Sequence, residues 1–228
     1  MIAVVSAEHA GNVTVLRLTA GENRFNPGSL AAIGSVLDEV EAADGPRALV
    51  ITGDGKFFSN GLDLEWMSVA PPAEAEEMLR QVHLLLARVL VFPAATVAAV
   101  NGHAFAAGAM LALACDSRVM REDRGYVCLP EVDLGMAFTP GMTRLLTARL
   151  TAATAHEAMV TGRRYGGPEA VAAGIVDEAV PADQVLAAAA QRAGALAGKP
   201  GATVAAIKRG IYGDVVSALE RGGALRVD

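Results

Sequence analysis

Apolar residues are arranged along the chain in two ways, as short continuous runs and as stripes at helical spacing. The runs at 48–52 and 96–100 are typical of strands buried on both faces of a parallel sheet. Apolar side chains recur at helical spacing over residues 30–43, before the first run, and over 73–91, between the two runs. Strand and helix therefore alternate, which predicts an α/β fold with largely parallel strands covered by helices.

Turn and capping residues mark the limits of the first elements. Residues 3–5 and 13–18 favour strands and flank the turn Gly11-Asn12, which predicts an N-terminal hairpin. Asn26 and Pro27 are typical of the start of a helix, so we expect a helix from there to about Ala43.

The second half of the chain is mainly helical in pattern. Small apolar residues fill the segment 104–115, which we interpret as a buried helix, and residues 117–120 are strand-like. Beyond about residue 140 strands nearly stop, and one short strand is predicted at 175–178. The predicted helices there are 151–159, one opening at Pro168, 182–196, and 202 onward.

Two segments, 50–64 and 97–110, share one design. Each is a buried strand followed by a turn of small residues and the expected start of a helix. Small residues let backbone N–H groups approach a ligand closely. A helix start leaves N–H groups unpaired and carries partial positive charge. Two such turns converging on one point would form an oxyanion hole.

An ordered set of motifs covers nearly the whole chain. It consists of Ile51-Thr52-Gly53, Phe58-Ser59-Asn60-Gly61-Leu62-Asp63-Leu64, Val97-Ala98-Ala99-Val100-Asn101-Gly102-His103-Ala104, Cys115-Asp116, Pro130-Glu131, Leu134-Gly135 and Ala173-Gly174-Ile175-Val176-Asp177. This set resembles the enoyl-CoA hydratase/isomerase, or crotonase, superfamily. The segments 55–61, 102–108 and 120–125 are most similar to the plant-type Δ3,Δ2-enoyl-CoA isomerases of that family.

The resemblance implies a fold and an organisation of the chain. The fold is an α/β, crotonase-like ββα superhelix, in which a spiral core of repeated strand-strand-helix turns precedes a C-terminal helical region. We expect the spiral core at 1–150 and a helical trimerisation region at 151–228, together forming one structural unit. The resemblance also implies a homotrimer or a dimer of trimers.

In that family two peptide N–H groups bind the thioester carbonyl of an acyl-CoA and so stabilise an enolate. By resemblance the two donors map to Leu62, directly after Gly61, and to Ala107. Many relatives have three glycines where this chain has Ala106-Ala107-Gly108. Because the backbone supplies the donor, alanine can serve if its φ and ψ are allowed.

Hydratases of the family use two glutamates, at positions that correspond to Met110 and Glu131 here. Hydration must activate water and also deliver a proton, which suits two carboxylates. One carboxylate is enough to move a proton between C2 and C4 of an enoyl thioester. The resemblance therefore predicts a Δ3,Δ2-enoyl-CoA isomerase with Glu131 as its single catalytic base. We expect Glu131 in an apolar pocket near Met110, Leu129 and Phe138 that raises its pKa.

Further residues are expected to contact the substrate. These substrate-binding residues are Arg24, Phe25, Asn60, Gly61, Asp63, Leu64 and Met110. Arg24 and Phe25 are assigned to the border of the CoA moiety, and Asp63 to a hydrogen bond with the backbone of the CoA loop. Trp66 and Met67 are assigned to an acyl tunnel or to the core.

Composition and charge restrict the remaining possibilities. Hydrophobic residues make up 53% of the chain and charged residues 19%, which indicates a folded globular protein. The formal net charge is −6 and the basic clusters are only pairs, so no nucleic-acid partner is expected. The histidines have no ligand spacing, so we predict no metal and no cofactor beyond the CoA moiety of the substrate.

The same composition bears on the compartment. Two cysteines fit a reducing environment, the first residues lack a signal-peptide pattern, and charged residues, Gly or Pro interrupt every apolar run. We therefore expect a cytoplasmic protein without a membrane partner.

Other functions are compatible with the same residues. One group comprises the other crotonase chemistries, namely hydration, thioester hydrolysis and decarboxylation. A second is a non-catalytic acyl-CoA-binding subunit. The local sequence alone favours a surface carboxylate beside Asp133 as the interpretation of Glu131, and it is the resemblance that reverses this in favour of catalysis.

Overall fold

The chain folds into alternating strands and helices, as its hydrophobic pattern predicts. The computed structural model describes residues 4–227, so the predicted strand start at residue 3 and the outer limits of the two predicted regions, residues 1 and 228, lie outside it. The strands are β1 Val5–Ala10, β2 Val13–Leu18, β3 Ala48–Gly53, β4 Phe57–Ser59, β5 Ala95–Val100, β6 His103–Phe105, β7 Ser117–Arg121, β8 Val127–Cys128, β9 Met136–Ala137, β10 Glu178–Val180 and β11 Arg226–Val227. The helices are α1 Pro27–Ala42, α2 Leu64–Val69, α3 Pro72–Leu90, α4 Ala107–Ala114, α5 Pro140–Arg149, α6 Ala152–Thr161, α7 Gly167–Ala172, α8 Val185–Gly194 and α9 Gly201–Glu220, with 3₁₀ helices at Pro130–Leu134 and Ala182–Gln184.

The strands form two main sheets. The large sheet has the order β1-β2-β3-β5-β7-β10, and among its described pairs only β1 and β2 are antiparallel. The small sheet has the parallel order β4-β6-β8. Along the chain, a strand of the large sheet is followed by one of the small sheet and then by helix, in β3-β4-α2, β5-β6-α4 and β7-β8 with its 3₁₀ turn. These are the predicted strand-strand-helix turns.

The large sheet is covered on both faces, which explains its continuous apolar runs. In β3, Leu49 and Ile51 point into the main core with α1, α3 and α4, whereas Val50 belongs to a second cluster with α8. Helix α8 packs against the large sheet through Ala189 and Ala193, which are both fully buried. Small side chains on that helix let it approach the strands closely, so the C-terminal helices are packed onto the spiral core.

The small sheet brings the two predicted loops to one place. Because β4, β6 and β8 are parallel, their carboxyl ends lie at the same edge. Asn60 follows β4, Ala106 follows β6, and Glu131 lies in the 3₁₀ helix after β8. Ligands commonly bind outside the carboxyl ends of parallel strands, so this edge is the place to look for a site.

Some predicted elements differ from those observed. The segment 104–115 is not one helix, because Ala104 pairs with strands on both sides and is therefore extended in β6. The short strand predicted at 175–178 is β10, which begins at Glu178 beside Val119 of β7. Helix α5 was not predicted, although Thr139 caps it by accepting a hydrogen bond from the Met142 N–H.

The last helix and the last strand pack against earlier elements of the chain. Helix α9 packs against α3 and α5, and β11 pairs antiparallel with β9. Within residues 4–227, none of the helices combines the length and the hydropathy that crossing a bilayer requires.

Candidate active site

The first loop turns at Gly61 and presents the N–H of Leu62. Gly61 has φ +80°, and a Cβ there would lie 2.9 Å from the Phe105 carbonyl oxygen and 3.1 Å from the Ala107 nitrogen. Only glycine fits this conformation and this close approach without strain. The loop is held by Phe25, whose N–H donates to the Gly61 carbonyl at 2.7 Å and whose carbonyl accepts from the Asp63 N–H at 3.0 Å. Within the described chain, the Leu62 N–H donates to no protein acceptor.

The second loop turns at Ala106 and presents the N–H of Ala107. Ala106 has φ +49° and ψ −126°, a conformation that is costly for an L-residue. It is held by its own N–H, which donates to the Cys128 carbonyl, and by its carbonyl, which accepts from the Met110 N–H. Ala107 is the first residue of α4, so its N–H has no partner within the helix and none elsewhere among residues 4–227. The strained residue Ala106 therefore lies close to two backbone N–H groups, of Leu62 and Ala107, that have no hydrogen-bond partner among the described residues.

Relief of this strain gives a stability prediction for Ala106→Gly. Strain of this kind costs about 1–3 kcal/mol, whereas the greater entropy of glycine in the unfolded chain costs about 0.5–1 kcal/mol. We expect the variant to be more stable by about 1 kcal/mol in urea unfolding. Ala107→Gly, at a position without positive φ, serves as the control and is expected to lose stability. If Ala106→Gly loses as much stability as Ala107→Gly, the backbone at Ala106 is not strained.

Glu131 faces the two donors from the third strand end. Its side chain is buried, with 6% of the residue exposed, and its Oε2 atom has no hydrogen-bond partner. Burial raises the pKa of this carboxyl to about 7, and a hydrogen bond from its own backbone N–H opposes the shift only partly. Unpaired buried carboxylate oxygens are costly and point to a functional role. Glu131 is therefore not a surface carboxylate, whereas its neighbour Asp133 is exposed.

A cavity of about 280 Å³ joins these groups. Its lining residues are Arg24, Asn60, Leu62, Leu64, Phe105, Ala106, Ala107, Pro130, Glu131, Leu134, Met136, Phe138, Met142 and Leu225. Among these lining residues Glu131 is the only carboxylate, and most of the others are apolar. A largely apolar cavity with one carboxylate and two unpaired N–H groups suits proton transfer at a carbon next to a carbonyl.

Several predicted substrate-binding residues lie at the mouth of this cavity. Arg24 and Asn60 line it, and both side chains donate to Glu22, at 2.7 Å and 2.9 Å. Leu64 lines it with 41% of the residue exposed. Asp63 does not line it but caps α2 by accepting from the Trp66 N–H, so its hydrogen bond is to backbone as predicted.

The side chains of two further predicted substrate-binding residues do not line this cavity. The Phe25 side chain is fully buried in the main core and only its backbone holds the first loop. Met110 is also fully buried and does not line the cavity. Of the three residues expected around Glu131, Phe138 lines the cavity, whereas Met110 and Leu129 do not.

Seven lining residues had no role predicted from the sequence. They are Phe105, Ala106, Pro130, Leu134, Met136, Met142 and Leu225. Leu134 is near Glu131 in sequence, so the 3₁₀ turn could have indicated it. Leu225 reaches the cavity only through the pairing of β11 with β9, for which the sequence has no local signal.

Comparison with known proteins identifies the family to which the chain belongs. The family model for enoyl-CoA hydratase/isomerase matches residues 8–228. The peroxisomal enoyl-CoA delta isomerase 2 of Arabidopsis thaliana is 35% identical over 224 residues, which cover 93% of each chain.

Solved structures show the same fold. An apo enoyl-CoA isomerase of Mycobacterium tuberculosis superimposes with a TM-score of 0.90 at 31% identity, covering 97% of this chain and 96% of that one. The human mitochondrial delta3-delta2-enoyl-CoA isomerase superimposes with a TM-score of 0.89 at 26% identity, covering 95% and 86%. The predicted crotonase fold is confirmed, and the chain belongs to the enoyl-CoA hydratase/isomerase family of enzymes.

Proposed function

We propose that this enzyme is a Δ3,Δ2-enoyl-CoA isomerase in which Glu131 is the single catalytic base. The observation that carries the proposal is the cavity lining, in which Glu131 is the one carboxylate among the described residues. Met110 occupies the position of the second carboxylate of family hydratases and is buried away from the cavity. The similarity to enzymes named as enoyl-CoA isomerases supports the same reaction.

The reaction needs one base and one electrophilic site. Glu131 takes a proton from C2 of a 3-enoyl thioester, and the electron pair of that C–H bond moves toward the carbonyl, leaving negative charge on its oxygen. Glu131 then returns the proton to C4, the carbonyl re-forms, and the double bond lies between C2 and C3. No atom enters or leaves, so one carboxylate is sufficient.

The two free N–H groups supply the electrophilic site. We propose that the thioester oxygen accepts hydrogen bonds from Leu62 and Ala107, whose amides are unpaired at adjacent loops. Each donor of such a pair typically contributes about 10²–10³ in rate. Arg24, Asn60, Asp63 and Leu64 are proposed to border the CoA moiety. No cofactor other than this part of the substrate is needed for the chemistry.

Hydration is disfavoured by the same lining. A hydratase must hold a water molecule and protonate carbon, and the described lining offers no second carboxylate to share this work. A direct test compares turnover of a 3-enoyl-CoA with hydration of the 2-enoyl-CoA of equal length. We expect conversion of the first and little hydration of the second. Efficient hydration would support a hydratase instead, and no turnover with tight binding would support an acyl-CoA-binding subunit.

The rate of isomerisation is expected to rise with pH through neutrality. Glu131 must be ionised to accept the proton, and burial raises its pKa to about 7. The value of kcat/KM at pH 6 should therefore be about a tenth of its plateau at high pH. Initial rates between pH 5.5 and 9 check this, because kcat/KM follows ionisation of the free enzyme. A flat profile down to pH 5.5 would mean a base with an ordinary carboxyl pKa.

The homotrimer or dimer of trimers stays a prediction. Helix α9 carries Ile207 and Ile211 one turn apart, with 58% and 65% of each residue exposed. Exposed apolar side chains that lie together on a helix often mark an interface between subunits, which supports assembly through the C-terminal region.

A further inference from the structure

Leu225 lines two spaces of the structure. One is the Glu131 cavity of about 280 Å³. The other is a groove of about 490 Å³, whose apolar residues include Met67 of α2 and Leu79 of α3. Glu76 and Arg80, which also line the groove, are exposed. The Leu225 side chain, half-buried against the main core, is thus a shared wall of both spaces.

The backbone holds Leu225 at this position from both sides. Before it, a Cβ on Gly223 would lie 3.3 Å from Thr139 and from Pro140, so the chain runs close against the start of α5. After it, β11 pairs with β9, with Arg226 opposite Ala137. Because Met136 of β9 also lines the Glu131 cavity, this pairing ties the segment containing Leu225 to the site.

The cavity and the groove have matching chemistry. Phe138, Met142 and Leu225 give the cavity apolar lining, and the groove that shares Leu225 has apolar lining at Met67 and Leu79. A straight hydrocarbon chain is the kind of ligand that suits both spaces, since it gains from burial in each. A volume near 280 Å³ is at the small end for ligand pockets, so a long chain needs the groove as well.

We infer that Leu225 determines the acyl-chain length that the enzyme accepts, by closing the Glu131 cavity against the groove beside α3. The inference rests on the proposed function. A short chain ends against Leu225, whereas a long chain reaches the groove only past this side chain. Leu225 is a specificity-determining residue in this account and takes no part in proton transfer.

The test compares two substitutions of opposite effect. Leu225→Ala removes most of the side chain that lines both the cavity and the groove, and Leu225→Phe enlarges it. The readout is the ratio of kcat/KM for a 16-carbon 3-enoyl-CoA to that for the 6-carbon compound. We expect this ratio to rise about tenfold or more in Leu225→Ala and to fall in Leu225→Phe, as for other pockets that discriminate by methylene groups. Leu196→Ala, at an exposed leucine that lines neither space, is the matched control.

The ratio separates this inference from the proposed function. A parent enzyme that isomerises the 6-carbon substrate, with an unchanged ratio in both variants, overturns the role of Leu225 alone. Absence of isomerisation at every chain length overturns the proposed function. In that event, calorimetric binding of hexanoyl-CoA and palmitoyl-CoA tests Leu225 independently. Tighter relative binding of palmitoyl-CoA by Leu225→Ala supports the wall, and an unchanged ratio of affinities refutes it.

Discussion

Replacing Glu131 with glutamine is expected to lower kcat for isomerisation of a 3-enoyl-CoA by about 10³–10⁴-fold. Glutamine has nearly the same shape but cannot accept the proton from C2 or return it to C4. Because the described cavity lining contains no other carboxylate, no neighbouring group can replace it. Steady-state kinetics at pH 8, where the parent base is ionised, measures the loss.

Two comparisons separate a lost base from a damaged protein. Asp133→Asn makes the same chemical change in the same 3₁₀ helix, at an exposed side chain outside the cavity, and should keep the parental kcat. Binding of a saturated acyl-CoA to Glu131→Gln should stay close to that of the parent. Substantial turnover by Glu131→Gln, or an equal loss in Asp133→Asn, would contradict the assignment of the base.

Relative to the parent enzyme, Glu131→Gln should gain stability as the pH rises. The pKa of Glu131 is about 7 in the folded protein and 4.5 as its ordinary value, so folding favours the protonated form. Its contribution is fully present below pH 4.5 and is lost as the pH rises through 7. The stability of Glu131→Gln relative to the parent should therefore increase by about 3 kcal/mol between acidic and alkaline pH. A relative stability that stays constant or falls between acidic and alkaline pH would contradict the raised pKa.

Replacing Ala107 with proline is expected to lower kcat by about 10²–10³-fold. Proline removes the N–H that we propose to bind the thioester oxygen, and it is tolerated at the first position of a helix. Ala107 is that first position of α4, and Ala106 before it has ψ −126°, outside the α region that proline disfavours in its predecessor. The ring carbon Cδ of proline takes the place of the N–H hydrogen, so the substitution removes the donor and also narrows the space for the thioester oxygen. The combined loss is measured as kcat on a 3-enoyl-CoA.

Ala107→Gly is the matched control for this substitution, since it alters the side chain and keeps the N–H. It should lose far less activity than Ala107→Pro. Circular dichroism and thermal unfolding establish that the proline variant is folded. A folded Ala107→Pro enzyme with nearly parental kcat would remove the Ala107 N–H from the oxyanion hole.

Much of the fold follows from local pattern. The continuous runs that became β3 and β5 are apolar because both faces of the large sheet are covered. Asn26 caps α1 as predicted, accepting from the Ser29 N–H. Residues 104 and 105 were predicted as helix because small apolar residues suit either state, and only pairing with β4 and β8 decides for a strand.

The candidate site was only partly predictable. The loops were visible as small-residue turns after strands, but Glu131 was singled out by resemblance, because nothing local distinguishes it from Asp133. Its burial depends on residues distant in sequence, such as Met142 and Leu225. The burial of Phe25 and Met110 is likewise a result of tertiary packing, which no local pattern shows.

The structure also clarifies what the methionine at position 110 means. It does not contact the substrate cavity, so its role is to fill the core of α4 rather than to shape the acyl site. Isomerisation therefore depends on Glu131, the single carboxylate that lines the described cavity, and on the N–H groups of Leu62 and Ala107, which line the same cavity.

A crystal structure of Glu131→Gln with a bound 3-enoyl-CoA tests the central claim most directly. We expect the side-chain carboxamide of residue 131 to lie within about 3.5 Å of both C2 and C4. We also expect the thioester oxygen to accept hydrogen bonds from the Leu62 and Ala107 N–H groups. A thioester bound away from these N–H groups, or a C4 atom beyond the reach of residue 131, would contradict isomerisation by a single base.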